Sequence, residues 1–499
     1  MSIHPLAPTG FLDRQRIIAE PGYNRWLVPP AALAIHLGIG EVYAFSVFKL
    51  PLTQILGVTT STPDDWTQLD VAWVFSIAIV FLGLSAAMFG SWLERVGPRK
   101  AMFASASCFG GGFLLSAVGV TIHQIWLVYL GYGVLGGIGL GLGYIAPVST
   151  LIKWFPDRPG LATGLAIMGF GGGAMIGSPL SQFLMDQFRT PSSTGVAESF
   201  ATLGVVYFNF MMFGVVTVRL PSSELSPRSR SNSIASAGIP SVTPNEAIRT
   251  RSFWLLWAML LLNVTAGIGV LEQASPMIQE MFPDRVSAAA AAGFVGLLSL
   301  FNMAGRFVWS SASDHIGRKF TYAMFFALGA GLYALTPQTG RMGNVVLFVA
   351  GYAIIMSMYG GGFATIPAYL RDQFGTAQVG AIHGRLLTAW SLAGIAGPVL
   401  VNAIREQQLA HGVPKAEAYT MTMYLMAGLL VVGFVCNLCV RRNDVTLPTT
   451  VIDKPSSEPT AIPVMPQNWP VLAGLWAWVG IPLVWGVSQT VMRSLALFR

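Results

Sequence analysis

Six ionisable side chains fall inside stretches that are otherwise apolar: His36, Glu41, Glu272, Arg306, His383 and Arg385. A charge at the middle of a lipid-embedded helix costs at least about 2.5–3.5 kcal/mol, so each of the six is a functional suspect. Arg306 has the clearest chemistry. It lies eight residues before Asp314, or about 12 Å along a helix, deep in its apolar stretch. A guanidinium there offers a planar fork of donors to a carboxylate; its competing use is a structural ion pair with Glu41 or Glu272. Glu41 stands midway through the first apolar stretch, directly after Gly40. A buried carboxyl at that place can carry a proton, and Glu272 is the second proton-coupling candidate. His36 is expected to pack or hydrogen-bond within the bundle. His383 and Arg385 lie near one end of their stretch, where Arg385 can extend its charged tip towards water.

Other residues that resemble chemical motifs carry less. Cys108, Cys436 and Cys439 sit in apolar stretches, and Cys436-x-x-Cys439 has no neighbouring ligands, so no metal is expected. Gly131-x-Gly133-x-x-Gly136 matches a dinucleotide fingerprint by letter. It lies inside a continuous apolar run with no strand before it, where close helix approach explains it better. No cofactor is expected.

The elements that must position these residues are membrane helices. The chain has 499 residues, 53% apolar and 10% charged, which excludes an ordinary soluble fold. Spans are predicted near 26–49, 71–93, 101–121, 125–149, 160–185 and 200–219, then 253–277, 287–311, 320–337, 343–369, 379–404 and 418–440. An extra apolar stretch, 469–491, is expected either to cross or to lie along the interface. All are read as helices, because lipid leaves backbone groups no other partner.

The two sets repeat each other. Gly97 and Gly317 stand in matching turns (317 − 97 = 220), and Pro147 matches Pro367 at the same offset. Gly164 and Gly177 recur as Gly384 and Gly397, again 220 apart. Two membrane halves with one layout predict a carrier whose site lies at the repeat interface. The expected organisation is a cytoplasmic tail (1–25), a six-helix bundle (26–219), a cytoplasmic linker (220–252), a second six-helix bundle (253–440), a second linker (441–468) and a hydrophobic helix (469–499). Arg and Lys concentrate on the side of the amino terminus, which predicts that this end is cytoplasmic, in a plasma (inner) membrane. The formal charge of +7 is then a topology signal, and no nucleic-acid partner is expected. The chain is expected to be monomeric and not an enzyme.

Glu94-Arg95-x-Gly97-Pro98-Arg99-Lys100 and Asp314-x-x-Gly317-Arg318-Lys319 place an acid, a glycine turn and a basic pair at the same end of both halves. Such an acid can bind a helix end or a base of the opposite half and latch that side closed, so Glu94, Arg95, Asp314 and Arg318 are gating candidates. The pair of motifs resembles the signature of the major facilitator superfamily. Within it, Tyr43-Ala-Phe-Ser-Val-Phe48, Lys153-Trp-Phe-Pro-Asp-Arg158, Gly160-Leu-Ala-x-Gly164, Phe301-Asn302-x-x-x-Arg306, Tyr359-Gly-Gly-Gly-Phe363 and Phe374-Gly375 resemble the oxalate:formate antiporter family and the related monocarboxylate transporters.

That resemblance implies an arginine at Arg306 that binds the substrate carboxylate, with Tyr43, Tyr144, Phe170, Tyr359 and Phe363 as an aromatic lining. It also exposes departures. The oxalate exchanger has a second cation where this chain has Trp390, which favours formate, lactate or pyruvate over oxalate. The monocarboxylate transporters have an Asp and a Lys where this chain has Asn302 and Val47, so their proton relay is absent as written. The expected function is secondary transport of a small organic anion by alternating access, with a proton or a counter-anion as partner. A drug or metabolite exporter of the same fold is the alternative.

Overall fold

The computed structural model describes residues 10–222, 242–441 and 469–495; within them the side chains of Val270, Glu272, Ala288, Ala289 and Ala292 are outside the description. Its long regular elements, among the described residues, are all helices. The first six long helices are α1 (Arg25–Ala44), α2 (Gln68–Val96), α3 (Pro98–Thr121), α4 (Ile125–Trp154), α5 (Pro159–Phe188) and α6 (Val196–Thr217). After the connector come α7 (Arg251–Met281), α8 (Ala288–Ile316), α9 (Arg318–Arg341), α10 (Val345–Phe374), α11 (Val379–Ala410) and α12 (Thr420–Cys439). A further helix, α13 (Trp469–Ser494), ends the described chain.

The sequence repeat is a packing repeat. In the first half α1 packs on α5, α2 on α4 and α3 on α6; in the second α7 packs on α11, α8 on α10 and α9 on α12. The halves meet along two equivalent seams, α5 against α8 and α2 against α11. Each half turns at its motif glycine in the same strained conformation, φ 89° at Gly97 and 86° at Gly317, which a residue with a Cβ adopts poorly. The basic residues that follow finish the opposite helix of their own half. Arg99 donates to the carbonyls of Val215, Val216 and Val218 at the end of α6, and Lys319 to those of Leu438 and Val440 at the end of α12 (319 − 99 = 220). Those carbonyls have no partner inside their own helices, and a cation suits the negative end of the helix dipole.

Several helices depart from the uninterrupted spans expected. The first breaks at Gly40: an α-helix over Pro29–Ile39 gives way to a 3₁₀ segment over Gly40–Ala44 and a short helix over Ser46–Leu52. A Cβ on Gly40 would stand 2.4 Å from the Phe170 carbonyl oxygen, so the break lies where the backbones of α1 and α5 meet. In α4 a π segment spans Tyr129–Gly136, and there Gly131 packs on Gly112 and Ser116, as close helix approach requires. The amino-terminal tail is also tied down at the end of α6: the Ala19 N–H donates to the Leu220 carbonyl (2.8 Å) and the Leu220 N–H to the Ile17 carbonyl (2.7 Å).

Helix α13 runs the full length of the bundle. Its first turns reach the start of α1, where the Trp476 indole donates to the Trp26 carbonyl, 3.1 Å. Its last turn reaches the far ends of α5 and α8, where Arg493 donates to Gln182 (3.1 Å) and the Ser494 hydroxyl to the Gly293 carbonyl (3.0 Å). Leu483 packs over Gly172 beside Met303, so this helix covers the α5/α8 seam from outside. The linkers expected at 220–252 and 441–468 lie mostly outside the described residues. At 242–250 the chain is ordered by a capping box between Thr243 and Glu246.

Gly305 fixes the packing of α8 on α10: a Cβ there would stand 1.9 Å from the Ser357 carbonyl oxygen, whereas one at Gly428 meets nothing within 4 Å. Thermal unfolding in detergent should therefore separate two alanine variants. Gly305→Ala is expected to lose about 1–3 kcal/mol through overpacking, and Gly428→Ala to be neutral or slightly stabilised. Equal midpoints for the two would contradict this packing.

Candidate functional site

Arg306 lies on α8 at the α5/α8 seam and is fully buried. Its Nε donates to the Asn302 side chain one turn earlier, 3.0 Å, and its Nη1 to the Ile167 carbonyl on α5, 3.3 Å. Its Nη2 has no acceptor among the described residues. The guanidinium carbon sits over two rings, Phe170 at 5.4 Å and Phe363 at 5.3 Å. Room for it comes from Gly171, where a Cβ would stand 3.1 Å from Nε.

The other residues implied by the resemblance converge here. Trp390 packs on Phe363 (4.5 Å), Tyr144 (5.3 Å), Phe170 (5.4 Å) and Tyr43 (6.4 Å). Tyr43 meets Phe170 at 5.1 Å, Tyr359 meets Phe363 at 5.2 Å, and the Tyr43 and Tyr359 hydroxyls face each other at 3.5 Å. Phe170 and Trp390 are repeat partners (390 − 170 = 220), so the cage is built around the pseudo-two-fold axis. The cation it holds is not symmetric: the counterpart of Arg306 is Ala86 (306 − 86 = 220). Two further buried donors, the Trp390 indole and the Tyr144 hydroxyl, have no partner among the described residues. Buried donors without acceptors cost about 1–3 kcal/mol each, and together with a guanidinium they suit an anion.

Glu41 is not placed against Arg306. The 3₁₀ segment carries Glu41 and Tyr43 to different sides of α1. Tyr43 enters the cage, while Glu41 is buried inside the first half, accepting from the Tyr132 hydroxyl at 3.3 Å and lying against Gly177. The ion pair weighed for Glu41 and Arg306 is therefore absent. The side chain of Glu272 lies outside the described residues.

The motif acids meet the opposite half at one end of the molecule. Asp314 on α8 accepts from the backbone N–H groups of Gly160 and Leu161, 2.8 Å each, and so caps the amino end of α5 from the opposite half. Arg318 pairs with Asp314 at 2.5 Å and with Asp372 at 3.2 Å, and Arg371 donates to the Pro156 carbonyl at 3.0 Å. Glu94 occupies the equivalent place at Gly380, 220 residues on from Gly160: a Cβ there would stand 2.6 Å from its Oε1. It is held by Ser149 (2.8 Å) and Lys153 (2.5 Å). Arg95 is exposed and takes no part. Sequence reasoning missed Lys153, Asp372 and Arg371, which lie 54–59 residues from the acids and bases they meet or, for Arg371, 215 residues from Pro156.

A family model described as Major Facilitator Superfamily matches residues 31–398. The oxalate:formate antiporter of Oxalobacter formigenes is 27% identical over 387 residues, covering 76% of this chain and 85% of that protein. The apicoplast pyruvate carrier 1 of Toxoplasma gondii is 25% identical, covering 65% of this chain and 68% of that protein. Among solved structures, the fucose:proton symporter of Escherichia coli aligns with a TM-score of 0.60 at 12% identity, over 84% of this chain and all of that one.

Asp314 gives the latch a direct test. Asp314→Ala removes the cap on α5 and the partner of Arg318, and should weaken closure by about 1–2 kcal/mol, a factor of roughly 5–30. With the three native cysteines replaced by serine, a cysteine at buried position 163 should react faster with a polar thiol reagent by that factor when Asp314 is changed. Unchanged labelling would exclude the latch.

Proposed function

Because this chain belongs to the Major Facilitator Superfamily, whose members are membrane carriers, we propose that it moves a small monocarboxylate anion by alternating access. Formate, lactate and pyruvate are the class we have in view. The observation that carries this reading is Arg306, a fully buried guanidinium at the seam between the halves with one amino group that has no acceptor among the described residues. Its other two nitrogens are held by Asn302 and Ile167, which fixes the fork in place before any anion arrives. Preorganisation of that kind spares the bound complex an ordering cost.

The cage supports a small ligand with one charged end. Phe170, Phe363, Tyr43, Tyr359, Tyr144 and Trp390 surround the guanidinium with rings and a few neutral donors. Trp390 brings an indole N–H to the place where a dicarboxylate would need a second cation. Among the relatives one is named for pyruvate and one for oxalate and formate. A single cation favours the monocarboxylates of that set. Movement is read as rocking of one half on the other about the cage, with Asp314 and Glu94 closing the end that carries them. The chain is taken to work as a monomer in a plasma (inner) membrane, amino terminus inside.

Ligand-induced stabilisation of the purified protein, read with equilibrium uptake in liposomes, tests this. Pyruvate should raise the unfolding temperature of the unmodified protein by mass action. Arg306→Ala and Arg306→Lys should each lose at least about a hundredfold in pyruvate affinity while remaining folded. Normal pyruvate affinity in Arg306→Lys would assign the residue to structure.

Trp390 sets the second expectation. The unmodified protein should prefer pyruvate to oxalate, and Trp390→Lys should move the preference towards oxalate by roughly tenfold or more. Tight oxalate binding by the unmodified protein would contradict this view of the cage.

A further inference from the structure

We propose that His36 and His383, which flank Tyr144, carry a proton that travels with the carboxylate, an inference that rests on the reading of Arg306 above. Both imidazoles are buried, at 0% and 1% exposure; neither ring nitrogen of His383 has a hydrogen-bond partner among the described residues, and those of His36 have only the backbone of Tyr144 and Ala166 nearby, without a well-formed hydrogen bond. Their rings meet the Tyr144 ring at 5.3 Å and 5.8 Å. Tyr144 packs in turn on Phe170 and Trp390, so the histidines stand one ring behind the cage. They also straddle the two halves: His36 and Tyr144 belong to α1 and α4, His383 to α11.

A core imidazole kept only for packing gains nothing over a leucine or phenylalanine, and it gives up the hydrogen bonds that water offered. Two such groups beside one site, one from each half, point to use in another step of the cycle. The charged groups that bear on the pair are few. His36 feels Arg306 from α8 and His383 from α11, with the Tyr144 ring between, and α5 presents Gly169 to it. Around His383, α2 presents Ala86 at Gly384 and Glu94 at Gly380, one turn away on its own helix. Arg385 lies on the same helix. Glu41 is bound up with Tyr132, elsewhere in the first half.

This arrangement couples anion to proton by electrostatics alone. With Arg306 unneutralised, a second positive charge at His36 is repelled. A carboxylate on Arg306 cancels that charge and then attracts an imidazolium. Each therefore favours the other's binding, and by linkage the effect is reciprocal. The site carries one net positive charge when empty (the guanidinium) and one when loaded (guanidinium, carboxylate and imidazolium). Empty and loaded carriers thus face similar electrostatic barriers as the halves rock. The proton comes from water on the side of entry, forms an N–H bond on one imidazole, and returns to water when the carboxylate leaves. No other bond is made or broken.

The test uses full-length protein in liposomes with a trapped pH dye and pyruvate as the probe. The unmodified protein should acidify the lumen by about one proton per pyruvate taken up. In His36→Gln combined with His383→Gln, that ratio should fall by about tenfold or more, with pyruvate counterflow still measurable. His411→Gln, in an exposed loop, should keep the full ratio. A double variant that still carries one proton per pyruvate overturns the proposal. Should that variant fold poorly, calorimetry on the unmodified protein in two buffers of different ionisation enthalpy decides: proton uptake on pyruvate binding supports the proposal, and binding without uptake overturns it while leaving the Arg306 reading intact. No stabilisation by pyruvate, lactate or formate would defeat the Arg306 reading and this inference together.

Discussion

A fully buried guanidinium has to be held, and the way Arg306 is held orders much of what surrounds it. Asn302 fixes one nitrogen from a turn away on the same helix, and a carbonyl of α5 fixes another from the opposite half. Gly171 keeps the space open, and two phenylalanines, one from each half, give their faces to the positive charge. None of these is an anion. The charge is thus solvated by dipoles and rings, which spread the desolvation cost without consuming the affinity for a carboxylate. An arginine paired with a fixed acid would have been quieter in the bilayer and far less useful.

The same logic explains why a symmetric scaffold carries asymmetric chemistry. Packing repeats faithfully: equivalent helices pair within each half, and Arg99 and Lys319 close equivalent helix ends. Phe170 and Trp390 hold equivalent places across the axis. Chemistry departs from the repeat where the ligand is expected, with Arg306 opposite Ala86. The two latch acids also differ in use, since Asp314 caps the amino end of α5 while Glu94 is held by Ser149 and Lys153. A carrier needs its halves alike enough to rock and unlike enough to hold one anion in one orientation.

Much of this was legible in the sequence, for physical reasons that differ from residue to residue. The repeat showed because glycines at close helix crossings leave little room for a side chain: Gly164 meets Arg306 and Phe307, and Gly384 meets Ala86 and Ala87, at one offset. Arg306 showed because charge in an apolar stretch is rare. The cage members did not announce themselves, since aromatic residues in helices usually pack, and the family resemblance singled them out. That Glu41 faces Tyr132 rather than Arg306 was not legible, because the first helix changes its winding at Gly40. The 3₁₀ break at Gly40 depends on the backbone of Phe170, 130 residues away, which no local pattern reports. The course of α13 was equally hidden. Its docking rests on Gly172, Gly293 and Gly486, each of which reads as an ordinary helix glycine until its neighbours are known.

We place the carboxylate on the amino group of Arg306 that has no acceptor among the described residues. An experimental structure of the protein equilibrated with pyruvate tests this most directly. Density for the anion is expected inside the ring of Phe170, Phe363 and Trp390, with a carboxylate oxygen about 2.7–2.9 Å from Arg306 Nη2. Pyruvate bound elsewhere, or Arg306 paired with a protein carboxylate such as Glu272 while pyruvate is bound, would contradict it.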